Sequence, residues 1–146
     1  MKIALASDHA GFELKEEIKK YLLGEGIEIQ DLGTDSAESV DYPVYGMKCA
    51  GAVLSGEADR GIVICATGIG ISIAANRFKG IRCALCTDTN MAEMTRRHND
   101  SNVLALGGRT TGTDKALKIT EVWLNTEFEG GRHRRRVDLL DQTDPK

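Results

Sequence analysis

The sequence predicts an α/β protein in which helices cover both faces of one five-stranded parallel sheet, a three-layer α/β/α, doubly wound (Rossmann-like) single domain. Short apolar runs alternate with amphipathic segments of helical periodicity along the chain. Such alternation at short intervals favours parallel strands, and right-handed crossovers then leave only doubly wound layouts. The length of 146 residues suits one domain, and no repeat, low-complexity segment or linker divides it.

The composition is that of an ordinary globular protein, with 41% hydrophobic and 28% charged residues. A net charge of −3 argues against a general nucleic-acid or membrane binder. No apolar run approaches transmembrane length, and the apolar start Met1–Ser7 is too short for a signal peptide. We therefore expect a cytoplasmic protein without nucleic-acid or membrane partners.

The first strand is predicted at Lys2–Ala6, an apolar run that ends in the polar turn Ser7–Gly11. A helix follows, because apolar residues from Phe12 to Leu22 share one face and Lys and Glu occupy the other, and Gly24 and Gly26 are predicted to end it. Residues Ile27–Leu32 alternate in polarity, which predicts a second strand near an edge of the sheet. The polar stretch 33–41 is predicted to be a loop.

A second helix is predicted to begin at Asp41 or Tyr42, with Pro43 in its first turn, and to end at Gly56. Its buried side is predicted from its larger apolar residues, which are Val44, Met47, Val53 and Leu54.

The stretch Gly61–Asn76 is the centre of the predicted fold. It begins as an apolar, β-branched run, which indicates a buried strand, and it ends in small residues compatible with a helix. Between them, the turn Cys65–Gly70 contains two glycines, a thiol and a hydroxyl. A strand-to-helix turn leaves backbone N–H groups unpaired, and these can hold an anion.

The second half of the chain continues the alternation. We predict a fourth strand at Ile81–Cys86, a helix from Asp88 to His98 and a fifth strand at Asn102–Leu106. A helix at Thr113–Thr126 follows, and the basic run Arg132–Arg136 opens a last short helix, at about residues 130–142.

Ligands of doubly wound sheets bind beyond the carboxyl ends of the strands. This edge is predicted to carry Asp8 and His9 after the first strand, the turn Cys65–Gly70 after the third, and the residues that follow Cys86 and Leu106. A thiol beside an anion cradle suggests chemistry on a substrate that becomes negatively charged. The alternative is a glycine-rich turn with a buried cysteine, and Asp8-His9 could equally be a polar turn in which Asp8 caps the helix.

Several familiar motifs do not fit. The turn Gly68-x-Gly70 lacks the third glycine of a dinucleotide fingerprint, because Ile73 occupies that position. A phospho-receiver module would need an acidic residue where Cys65 stands. The pair Cys83 and Cys86 has metal-like spacing, but on a strand the two thiols would point to opposite faces. No metal site is therefore expected.

The basic run is the local exception in an acidic chain. On a helix, Arg132 and Arg136 are four residues apart, so their guanidinium groups can converge as a phosphate clamp, and Arg109 could add a third donor. The alternative is a solvated charged face. His98 also has two interpretations. It could belong to the site, or it could be a solvated residue whose positive form suits the carboxyl end of a helix.

Taken together, these segments resemble the type B ribose-5-phosphate isomerases of the ribose/galactose isomerase family. The resemblance runs from the first strand to the last helix. It is carried by the segments Ser7–Gly11, Ser39–Pro43, Gly61–Asn76, Arg97–Leu104, Leu106–Arg109 and Phe128–His133.

The resemblance implies an aldose–ketose isomerase that interconverts ribose 5-phosphate and ribulose 5-phosphate through an enediolate, in the pentose phosphate pathway. It also implies no metal or organic cofactor, and a homodimer with its active site at the subunit interface. Some members associate further, so a tetramer remains open. The basic C-terminal helix, at about residues 130–142, is expected to pack at the dimer interface.

The resemblance also implies roles for individual residues. Cys65 would move a proton between C2 and C1, Thr67 would shuttle protons between the two oxygens, and His98 would open the furanose ring. The enediolate would lie on the turn formed by Gly68, Ile69, Gly70, Ile71 and Ser72. Sugar hydroxyls and phosphate would be bound by Asp8, His9, Tyr42, Asn99, Arg109, Arg132 and Arg136.

Two alternatives remain open from the sequence. The first is an isomerase of another sugar phosphate, such as an allose, galactose or tetrose phosphate. The second is a non-catalytic sugar-phosphate-binding module. Some relatives carry a glutamate base where this chain has Ile71, so the chain looks like the cysteine type.

Overall fold

The computed structural model describes residues 1–142 and 144. Its strands form one fully parallel sheet in the order β2-β1-β3-β5-β4, which confirms the predicted fold class. The edge position of β2 was also predicted correctly. The strands are β1 (Lys2–Ser7), β2 (Glu28–Asp31), β3 (Arg60–Cys65), β4 (Cys83–Leu85) and β5 (Val103–Gly107).

Helices connect the strands and cover both faces of the sheet. In the described chain they are α1 (Phe12–Gly24), α2 (Tyr42–Leu54), α3 (Ile69–Asn76), α4 (Thr89–Met94), α5 (Thr113–Asn125) and α6 (Arg132–Asp141). A π-helical turn, Thr95–Asn99, continues α4. No helix in the described part of the chain is both long and apolar enough to span a bilayer.

Side chains of the central strands divide by size between the two faces. Large residues such as Ile62 and Ile64 face α1 and α5, where Trp123 is fully buried. Small residues such as Ala4 and Ala6 face α2 and α3. Because successive strand residues point to opposite faces, this alternation sets how closely each helical layer can approach the sheet.

The buried side of α2 was predicted wrongly except at Val53, which is partly buried against the core. Val44, Met47 and Leu54 are 42%, 46% and 48% exposed, and the helix instead turns Gly46 and Cys49 inward. A Cβ on Gly46 would lie 2.9 Å from the Cβ of Ala74, so α2 packs against α3 at a distance that only small residues allow. The larger apolar side chains are consequently left on the surface.

Two boundaries in the second half also differ from prediction. The predicted helix Asp88–His98 ends as α4 at Met94, and His98 lies in the π-helical turn that follows. Strand β4 has three residues rather than the six predicted for Ile81–Cys86. The expected placement of Cys83 and Cys86 on opposite faces is confirmed, since they pack against different cores.

Candidate active site

Cys65 ends β3 at the carboxyl edge of the sheet, and the chain turns sharply after it. The backbone N–H of Gly68 donates to Cys65 Sγ at 3.2 Å. Gly68 has a φ of +80°, and a Cβ there would lie 2.6 Å from Leu85 Cδ1. Only glycine fits this position, and it brings the turn back over a thiol that is 5% exposed.

The first turn of α3 supplies the anion cradle. Ile69 N–H donates to Thr67 Oγ1 at 3.2 Å, and Ser72 Oγ donates to the carbonyl of Ile69 at 2.7 Å. N–H groups in the first turn of a helix have no intrahelical partner and carry the positive end of its dipole. The Ile71 side chain is fully buried, so the backbone is the part of this residue that a ligand could use.

The loop after β5 and the start of α2 close around the same edge. Gly108 N–H donates to the carbonyl of Cys65 at 2.8 Å, and Arg109 N–H donates to that of Ala66 at 2.9 Å. The exposed Arg109 side chain therefore begins beside the turn. Tyr42 lies on its other side, since a Cβ on Gly70 would be 2.7 Å from Tyr42 Cε1.

Asp8 and His9 complete the carboxyl-edge group. Asp8 is buried, and its Oδ1 accepts hydrogen bonds from Ala10 N–H at 2.9 Å and Gly11 N–H at 3.1 Å. His9 Nδ1 accepts from the N–H of Val40 at 3.1 Å. A ring nitrogen that accepts is unprotonated, so the other nitrogen, Nε2, is the one that carries a proton and can donate to a ligand.

The other predicted functional residues lie at the opposite edge of the sheet. In the parallel pair β3 and β5, Gly61 is opposite Val103 and Cys65 is opposite Gly107. The start of β5 therefore lies at the amino edge of the sheet, and His98 comes five residues before that start. Four residue steps at roughly 3.3 Å separate the two edges by about 13 Å along the strands. The π-helical turn contacts α6, the helix that carries Arg132 and Arg136. Within one chain, the structure thus forms two groups rather than one site. The carboxyl-edge group contains Cys65 and its turn, and the amino-edge group contains His98 and the arginines of α6.

The amino-edge group is built around two stacked rings. The centroids of His98 and His133 are 4.2 Å apart and their planes differ by 14°. Glu129 Oε2 lies 3.9 Å from His98 Nε2, and Glu129 Oε1 lies 3.8 Å from His133 Nε2. Burial, followed by the neighbouring His98 and Arg132, lowers the pKa of His133, and Glu129 opposes this shift.

A cationic network that the sequence analysis missed holds this turn in place. Arg82 Nε donates to the carbonyl of Asn99 at 3.0 Å, and its Nη1 donates to Asp141 of α6 at 2.7 Å. Arg96 Nη1 donates to Asp100 Oδ1 at 2.8 Å. The spacing of Arg96 and Asp100, four residues apart, is one that sequence can signal, whereas the partners of Arg82 are distant along the chain.

Arg134 and Arg135 extend the basic run without an assigned role from sequence. Arg134 lies with its guanidinium carbon 4.7 Å from the ring centroid of Phe128, a cation–π contact that holds the preceding loop against α6. Arg135 is exposed.

His98, Glu129 and His133 are also the described residues that could hold a metal ion, since their donor atoms lie within 4.8 Å of one another. A metal ion lies close to the plane of each imidazole that binds it. Two near-parallel stacked rings cannot both direct a lone pair at one ion without rotating, so this arrangement suits an acid–base cluster better.

A doubly wound sheet with a thiol and the first turn of a helix at its carboxyl edge is typical of an α/β enzyme that acts on a small anionic substrate. Comparison with known proteins narrows this class. The family model described as Ribose/Galactose Isomerase matches residues 3–140, and the chain belongs to this family.

Relatives agree over nearly the whole chain. Ribose-5-phosphate isomerase B from Escherichia coli is 50% identical over 139 residues, which are 95% of this chain and 93% of the relative. The ribose-5-phosphate isomerase B structure from Clostridium thermocellum has a TM-score of 0.96 at 57% identity, covering 97% of this chain and 96% of that one. The corresponding structure from Thermotoga maritima has a TM-score of 0.95 at 56% identity, covering 97% and 98%.

Proposed function

We propose that this chain is an aldose–ketose isomerase that interconverts ribose 5-phosphate and ribulose 5-phosphate in the pentose phosphate pathway. The observation that carries the proposal is the Cys65 thiol, which accepts the Gly68 N–H at 3.2 Å beside the first turn of α3. The resemblance to enzymes with this activity across the whole chain supports the choice of substrate.

Cys65 is the proposed base. The C2 proton of the open-chain aldose is acidic because a carbonyl lies beside it, and its removal puts negative charge on oxygen. Fixed N–H donors aimed at that oxygen stabilise the enediolate. Cys65 then returns the proton to C1, while Thr67, exposed at the same turn, passes a proton between the two oxygens.

His98 is the proposed group for ring opening. Ribose 5-phosphate is mostly a furanose, so a proton must leave the anomeric hydroxyl and another must reach the ring oxygen before isomerisation. Histidine exchanges protons near neutral pH and suits both transfers. Its position at the amino edge, however, is about 13 Å along the strands from the end that carries Cys65.

A homodimer reconciles these two positions. We infer that the partner subunit brings its own amino-edge group, which contains His98, Asn99, Arg132 and Arg136, to the carboxyl edge of the first chain. The exposed apolar residues beside the Cys65 turn support an interface there. They include Val44 and Met47 on α2 and Ile69 and Ile73 on α3, of which the last two are 52% and 60% exposed. This arrangement would also bring the C-terminal helix, α6, to the interface.

The phosphate is proposed to lie between His9 and Arg109 of one chain and Arg132 and Arg136 of the other.

Replacing Arg136 with alanine should raise KM for ribose 5-phosphate about tenfold or more with a smaller change in kcat, because a charge-assisted phosphate contact contributes about 1.5–3 kcal/mol. Steady-state kinetics measure both constants. Arg135→Ala is the matched control and should leave them unchanged. Equal kinetics for Arg136→Ala and the parent chain would remove Arg136 from the phosphate site.

Ketose formation from ribose 5-phosphate, with chelator present, tests the proposed reaction directly. We expect turnover in the range of about 1–10³ s⁻¹ typical of enzymes. No turnover on ribose 5-phosphate, but turnover on an allose, galactose or tetrose phosphate, would move the chain to another substrate of the same family. Tight binding of sugar phosphates without turnover would favour the non-catalytic module.

A cytoplasmic location stays a prediction.

A further inference from the structure

Glu129 and His133 lie against His98, the residue proposed to open the sugar ring. The stacked imidazoles are 4.2 Å apart, and the Glu129 carboxylate reaches toward Nε2 of both rings at 3.8 and 3.9 Å. Backbone contacts fix this geometry, since Glu129 N–H donates to the Arg97 carbonyl at 3.1 Å and His133 N–H donates to that of Gly130 at 3.1 Å. The segment that carries Glu129 and His133 is thus hydrogen-bonded to the turn that carries His98.

His133 has the properties of a neutral, fixed ring. It is 5% exposed, and its buried Nε2 has no hydrogen-bond partner among the described residues. Burial and the positive groups around it lower its pKa, so at neutral pH the ring is uncharged. A neutral ring can stack on His98 whether His98 is neutral or protonated, whereas a second imidazolium would repel it.

Glu129 is the carboxylate in a strongly basic environment. The charged and titratable groups that face the stacked rings come from the π-helical turn, the preceding loop and α6, and they are Arg97, Glu129, Arg132 and Arg136. The Glu129 carboxylate offsets the positive charge of these arginines beside the stacked rings. At 3.9 Å from His98 Nε2, the carboxylate acts through its charge rather than through a direct hydrogen bond.

We propose that Glu129 and His133 are positioning residues for His98: the His133 ring fixes the plane of the His98 ring, and the Glu129 carboxylate stabilises the charge that His98 gains during ring opening. This inference rests on the proposed function. In that step the proton leaves the anomeric hydroxyl for His98, the C1–O4 bond breaks as the C1=O1 bond forms, and His98 returns the proton to O4. No oxidant or further reactant is needed.

The substrate offers a way to separate ring opening from isomerisation. Ribulose 5-phosphate is an open chain, because its C5 oxygen carries the phosphate and cannot close a furanose ring. Incorporation of solvent deuterium at its C1 requires the Cys65 proton transfer but no ring chemistry. The ratio of this exchange to net conversion of ribose 5-phosphate therefore reports the opening of the furanose ring specifically.

We expect Glu129→Gln and His133→Ala to lower net conversion of ribose 5-phosphate about tenfold or more, as loss of an outer partner of a reacting histidine commonly does. Exchange at C1 of ribulose 5-phosphate should stay within about twofold of the parent. His133→Phe, which keeps a flat ring, should recover most of the conversion. The matched control is Glu127→Gln, an exposed carboxylate on the same segment.

The outcomes separate this inference from the proposed function. Unchanged conversion in Glu129→Gln and His133→Ala, or an equal fall of conversion and exchange in both, would overturn the positioning role while leaving the isomerase intact. Absence of both conversion and exchange in the parent protein would overturn the proposed function itself, together with this inference.

Discussion

Replacing Cys65 with alanine is expected to lower kcat for ribose 5-phosphate by about 10²–10⁴-fold, the usual contribution of a positioned acid–base group. Alanine removes the sulfur and the hydrogen bond that it accepts from the Gly68 N–H, but the carbonyls of Cys65 and Ala66 still accept from the Gly108 and Arg109 N–H groups, which hold the turn. The phosphate is proposed to contact His9 and the arginines rather than this sulfur, so substrate binding should persist. Stopped assays of ketose formation and a ribose 5-phosphate binding titration measure the two effects.

Cys83→Ala provides the matched control for this substitution. Cys83 lies on β4, and burial raises the pKa of its thiol well above the usual value, so it is an inert cysteine of the same chain. We expect its kcat to equal that of the parent. A Cys65→Ala enzyme with near-parent kcat would refute the assignment of the base.

The second large effect is expected for His98→Ala. Net conversion of ribose 5-phosphate should fall by about 10²–10⁴-fold, because only the small open-chain fraction in solution remains a substrate. Deuterium exchange at C1 of ribulose 5-phosphate should survive, since Cys65 and its turn are unchanged. Equal loss of conversion and exchange would show that His98 does not act on the ring. Parallel measurements on one preparation by NMR give both rates.

Much of the fold follows from local patterns in the sequence. The run Gly61–Cys65 and its partner strand are nearly all apolar, as buried parallel strands must be. Glycine also indicates a turn in the sequence, and at Gly68 it is required because a larger residue would collide with Leu85. The exposed face of α2 could not be predicted in this way. Apolarity normally indicates burial, but here small residues such as Gly46 set the packing distance and leave Met47 outside.

The candidate site was predictable in content but not in arrangement. Spacing suggested that Arg132 and Arg136 share a helix, and α6 confirms this. Spacing could not show that His98 lies in a π-helical turn at the edge opposite Cys65, or that it stacks on His133. Both depend on contacts between segments distant along the chain, such as those of Arg82 with Asn99 and Asp141.

The central claim is that each active site combines Cys65 of one chain with His98 of another. Mixing Cys65→Ala and His98→Ala subunits, each nearly inactive alone, tests it most directly. After random subunit exchange, half of the dimers are mixed and each has one intact site, so we predict recovery of about a quarter of parent activity. No recovery, with mixed dimers verified by mass spectrometry, would contradict a site shared between two chains.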